Sequence, residues 1–182
     1  MPQNYLRTDE KENSVDSLEM VARLAAEIKT TGKTGLWKWV IISLFNALYG
    51  FCICAIQGTD YHQVMKRDRK GKVTNKLISF PEALKRAQQD TWMRQYIDSR
   101  TLSLTRDQKD SIKRLREDLR NNFEHFTPKG WSIEVSGMPK IVSDTLDVIE
   151  FLALSSRNIL WDSSLNQSRR IQTAIGSIRS YL

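Results

Sequence analysis

Along most of the chain the apolar positions recur at helical spacing, not with the alternation of strands. Counted at ~100° per residue, Ile112, Leu115, Leu119, Phe123 and Phe126 fall on one stripe of a long amphipathic helix. Thr105 with Gln108 three residues on forms a capping-box start for it, and Thr127-Pro128 should close it. An earlier helix, capped by Ser14 or Asp16, would bury Leu18, Val21, Ala22, Ala25 and Ile28 and end at Gly32 and Gly35. Residues 1–13 read as a flexible, polar tail, and 14–182 as a single helical domain.

Leu36 to Ile56 is the most apolar stretch, with Lys38 its one charge. Its length would suffice to cross a bilayer. Ser43, Asn46 and Gly50 are scattered through it, however, so a core helix covered by its neighbours is the expectation, with no membrane partner. In such a helix the Asn46 amide needs hydrogen-bond partners, which marks it as a structural polar residue. Gln57-Gly58-Thr59-Asp60 breaks the helix, and a basic connection follows that reads as a solvated loop or, through Lys66, Arg67, Arg69 and Lys70, as a nucleic-acid-binding loop that contacts phosphates. Leu77 to Phe80 reads as extended before Pro81 opens a helix carrying Leu84, Ala87, Trp92, Tyr96 and Ile97, ending near Ser99.

Trp131 to Val135 alternates like a short extended piece. From Pro139 to about Arg157, Ile141, Val142, Thr145, Leu146, Val148, Ile149 and Leu152 build a broad apolar face. The last helix has Ile171, Ile175, Ile178 and Leu182 on one side. The fold class is therefore all-α, an up-and-down helical bundle of about five to six helices with at most a tiny β-hairpin or extended piece in the middle.

Composition narrows the partners. The 182 residues carry 28 Lys and Arg against 21 Asp and Glu, a formal net charge of +7, which favours polyanions such as RNA. Cys52 and Cys54 lie two apart in the apolar run, about 200° apart on a helix, so they can neither chelate together nor bridge there. They read as small core residues in a reducing, cytoplasmic setting, and no signal peptide is visible at the start. With His62 and His125 the only two histidines, no imidazole-rich metal site can be built, and no cofactor is expected. Asp144, Asp147 and Glu150 fit a solvated helix face, and there is no glycine-rich phosphate loop.

The chemistry concentrates at the end of the long helix. Arg120, Asn121 and His125 stand together there, and Arg120 and His125 fall off the apolar stripe on its polar side, roughly 140° apart. Lys113, Arg114 and Arg116 make that polar face cationic and attractive to a phosphodiester. A histidine at a helix end often does no more than satisfy the last carbonyls. Here, though, an imidazole, the side chain suited to acid–base work, comes close in sequence to a guanidinium able to hold phosphate oxygens, a pair that could run acid–base cleavage of RNA by its own 2′-hydroxyl.

Arg120-Asn121-Asn122-Phe123-Glu124-His125 resembles the Arg-x(4–6)-His signature of the HEPN superfamily, in which a polar residue often follows the Arg. The apolar helix from Trp37 to Ile56, with its internal Asn46, resembles the core helix of the same bundle. The resemblance implies an all-α bundle that commonly forms a homodimer, placing two such motifs face to face. Many members are metal-independent endoribonucleases of toxin–antitoxin, phage-defence or RNA-processing systems, some with an antitoxin or nucleotidyltransferase-like partner. Others bind nucleotides or proteins without cutting. On this chain the resemblance implies Arg120 and His125 as the catalytic pair, facing a partner chain, and Asn121 as the positioning residue.

Overall fold

The helix from Trp37 to Gln57 (α2) runs through the centre of the protein. Val40, Ile41, Leu44, Leu48, Phe51, Cys52 and Ala55 are buried along it. The computed structural model describes residues 5–6, 8–125, 128 and 130–182. Around α2 stand α1 (Glu10–Thr31), a hairpin of β1 (Met65–Arg67) and β2 (Val73–Leu77), α3 (Phe80–Ala87) and α4 (Asp90–Met93). A rod follows, made of α5 (Arg106–Lys113), a π-helical segment (Arg114–Arg120) and α6 (Asn121–Glu124). The chain closes with α7 (Met138–Glu150), which runs on as a π-helical Phe151–Ser155, and α8 (Gln167–Tyr181). This is the expected all-α bundle with one small hairpin.

α2 packs against α1, α3, α7 and the rod. The segment Thr34–Gln57 is the one helix among the described residues long and apolar enough to cross a membrane, yet 67% of its apolar window is buried by the rest of the chain. Each fully covered Leu, Ile or Phe stabilises the fold by roughly 1.5–3 kcal/mol, so α2 is the core of this bundle. Both cysteines lie within it, buried and unbridged.

α1 crosses α2 closely because Gly50 has no side chain. A Cβ there would sit 2.1 Å from the Ser14 hydroxyl, which donates to the Glu10 carbonyl. Ser14 is thus a buried contact residue, not a cap. The helix starts earlier than expected, at Glu10, with the Asp9 carboxylate accepting from the Glu12 amide at 2.7 Å. At its far end Gly32, at φ 67°, closes α1 as anticipated. α8 locks onto α1 through Arg170, whose guanidinium donates to Glu12, Asp16 and Glu19.

Other expectations needed correction. The helix forecast from Pro81 to Ser99 is interrupted, because the Leu102 amide takes the Ala87 carbonyl and Gln89 turns extended before α4. Tyr96 and Ile97 lie outside any helix, and Ile97 is fully exposed. The hairpin forms at 65–77, whereas residues 131–135 pair with no strand among the described residues. Asn46 is exposed and makes no side-chain hydrogen bond among the described residues. It shares with Trp39 a side of α2 that is exposed among the described residues, so among these it ties no helices together. The acidic side of α7 is also more than solvated surface: Asp144 binds Ser111 and Lys140, while Asp147 and Glu150 hold Arg179.

Candidate active site

The capping box forms in both directions, with the Gln108 amide nitrogen donating to Thr105 and the Gln108 side chain accepting from the Thr105 amide. From this start the rod buries Ile112, Leu115 and Leu119, as its periodicity indicated. Phe123 is half-buried against Trp131, ring centroids 5.1 Å apart. Phe126, Thr127 and Lys129 lie outside the described residues. Helical structure ends at Glu124, and His125 follows in an extended conformation, its amide donating to the Asn121 carbonyl at 2.9 Å.

The regular α-helical count fails inside the rod. Residues 114–120 form i→i+5 hydrogen bonds, a wider turn that brings Arg120 nearly over Leu115. Arg120 therefore does not point away from its own core. Its side chain is 28% exposed, and its guanidinium lies over the Phe45 ring of α2, 4.9 Å from the centroid. One terminal nitrogen donates to the Asn121 Oδ1 at 3.2 Å, and the other pairs with Glu124. Nε is buried without a partner among the described residues. The guanidinium is thus clamped between a ring, an amide and a carboxylate, while His125 is exposed at the rod's tip.

The expected nucleic-acid residues divide. Lys113 and Arg116 line a groove of about 320 Å³ between the rod and α3, together with Lys109 and Lys85. Arg114 turns to the other side, into a hollow beside Asp107, Asp110 and Lys140 near Gly137, where the charges balance. Lys66 and Arg67 belong to β1 of the hairpin, and Arg69 and Lys70 to its turn. There Asp68 accepts from the Lys70 and Lys72 amides, Gly71 takes φ 80°, and Arg67 donates to the Gly71 carbonyl. No hydrogen bond or ion pair ties them to the rod among the described residues.

Phe45, Lys85, Lys109 and Glu124 were not singled out in the sequence. Lys109 was within reach, since Lys109, Lys113, Arg116 and Arg120 recur four, three and four residues apart on one helix face. Glu124, four residues after Arg120, is the ordinary helical ion-pair position. Lys85 and Phe45 depend on which helices meet, and no local spacing encodes that.

Chemically, the rod's end offers a fixed cation with the exposed His125 just past the helix end. Among the described residues no group of three or more His, Cys, Asp or Glu is placed to hold a metal ion. Elsewhere burial pushes the Cys54 thiol up to about 12 and Cys52 higher, so neither is a ready nucleophile. No family model matches the chain, and neither curated proteins nor solved structures give a match.

Proposed function

We propose that this chain is a metal-independent endoribonuclease of HEPN type, cleaving single-stranded RNA at a composite site where two copies bring their Arg120–His125 pairs together. The observation that carries the reading is the fixed Arg120 guanidinium next to Asn121, with exposed His125 just past the helix end. In this scheme one His125 takes the proton of the 2′-hydroxyl as its oxygen bonds to phosphorus. The bond from phosphorus to the 5′-oxygen breaks, and a protonated imidazole across the dimer returns a proton to that oxygen. Arg120 stabilises the charge on the non-bridging oxygens, and Asn121 holds Arg120 in place. A toxin, defence or RNA-processing role fits this activity, with an antitoxin or nucleotidyltransferase-like partner as its control.

The test compares wild type with His125→Ala and Arg120→Ala on labelled RNA in EDTA. Cleavage by wild type alone supports the scheme. Equal cleavage by all three sinks it, and cleavage that EDTA abolishes refutes the metal-free part. Light scattering should show a dimer.

The Arg120–Glu124 ion pair favours a second reading, a non-catalytic helical module that binds nucleotide, RNA or a partner protein through its basic face. That reading expects salt-sensitive RNA binding with no strand scission.

A further inference from the structure

Three cations of the rod, Lys109, Lys113 and Arg116, share one groove wall, and Arg120 follows four residues after Arg116, beyond the groove's lining. Lys85 on α3 stands on the opposite wall. Arg120 is joined to this groove by packing: its guanidinium lies on Phe45, and the Phe45 ring meets Phe80 of the groove at 4.9 Å. Lys85, Lys109 and Lys113 have no ion-pair partner among the described residues. The single carboxylate in the groove, Glu117, faces Arg116 at 3.6 Å. Unpaired like charges lined up beside a low-dielectric floor repel one another, and an extended polyanion would relieve that cost.

We propose that this groove is the track along which a single RNA strand reaches Arg120, with Lys85 and Lys109 as its outer phosphate contacts. The inference rests on the ribonuclease reading for what happens at Arg120, but it concerns binding alone. Spacing supports it: Lys109 and Lys113 stand one α-helical turn apart, about 5.4 Å, and can meet successive phosphates of an extended strand. The floor offers Leu84 and Ile112, and its aromatic residue, Phe80, is only 5% exposed, so base stacking adds little. Recognition by the groove is therefore independent of base sequence and is carried by the backbone.

The experiment measures fluorescence anisotropy of a labelled oligouridylate in EDTA against a range of salt concentrations. The proteins are His125→Ala alone, and His125→Ala with Lys85→Gln and Lys109→Gln. A control carries Lys29→Gln and Arg169→Gln, both exposed and on α1 and α8. Loss of two phosphate contacts should weaken binding about tenfold and flatten the salt slope by roughly 1.4, at ~0.7 per phosphate on single strands. The control should bind like its parent.

Unchanged affinity and slope in the Lys85/Lys109 variant, with circular dichroism intact, overturns the track while leaving cleavage by the wild type to stand or fall separately. A weakened, flatter response in a protein that never cuts RNA supports the track and removes the ribonuclease. Tighter binding of a glutamate-rich peptide of equal charge than of the oligouridylate would assign the groove to an acidic protein segment and overturn the proposal.

Discussion

Glu124 pairs with the same Arg120 nitrogen edge that a phosphate would have to use. The two residues are four apart on one helical turn, with the guanidinium held from below by Phe45. With both side chains about a third exposed, an i,i+4 pair of this kind contributes on the order of 0.5 kcal/mol to stability. Its larger effect is on what else Arg120 can hold. Glu124→Gln removes the competing charge with little change of shape, and so should tighten RNA binding several-fold with a melting temperature within a few degrees of wild type. Anisotropy titration with the oligouridylate checks this. Unaltered binding would mean that Arg120 does not meet the phosphate.

A second outcome concerns the crossing of α1 and α2. Gly50→Ala places a methyl 2.1 Å from the Ser14 hydroxyl and 3.0 Å from its Cβ. Alanine favours the helix by about 0.8–1 kcal/mol over glycine, but overpacking in a close crossing costs about 1–3 kcal/mol. The contact should win, and urea unfolding should show a net loss of up to about 2 kcal/mol. Adding Ser14→Ala removes the nearer clash and should recover part of that loss, a coupling that a double-mutant cycle reads directly.

The cysteines give a third. Burial raises both thiols, Cys54 to about 12 and Cys52 further, so the native protein holds almost no thiolate at neutral pH. Labelling with a maleimide should be negligible over an hour in buffer and complete in denaturant. The rate at intermediate urea should follow the unfolded fraction. Rapid labelling without denaturant would show that α2 opens locally.

These features differ in how legible they were beforehand. Spacing within one element was readable: the capping box at Thr105 and Gln108, the Gly32 cap and the buried Ile112–Leu115–Leu119 side follow from helical periodicity and turn chemistry. The orientation of Arg120 was not, because the count assumed a regular helix and the π-helical turn shifts every position after Arg114. Asn46 misled for another reason. An apolar helix looks alike in sequence whether it is covered on every side or all but one, and only the packing of α1, α3 and the rod left Asn46 in solvent. That Lys85 and Lys109 line one groove likewise arises from where α3 lies beside the rod.

The last prediction links α1, α8 and pH. Arg170 donates to Glu19 through two nitrogens, both at 2.8 Å, and also to Glu12 and Asp16. Hydrogen bonds from Arg170 hold the Glu12 and Glu19 carboxyls below their ordinary value of 4.5. A carboxylate whose folded pKa lies below its unfolded one stabilises the fold fully above the unfolded value, and that stability is lost as pH falls through the folded value. Wild-type stability should therefore be flat near neutrality and decline below about pH 4.5 as both groups take up protons. Arg170→Met leaves three carboxylates facing one another, so it should cost roughly 1–2 kcal/mol at pH 7 once partial exposure is allowed for. In the variant Glu12 and Glu19 lose the hydrogen bonds that lower their pKa, so acidification from pH 7 should narrow its deficit against wild type, the gap closing as the charges disappear. Chemical denaturation at a series of pH values decides it: a gap that stays constant between pH 7 and pH 3 would show that Arg170 acts by packing and not by charge.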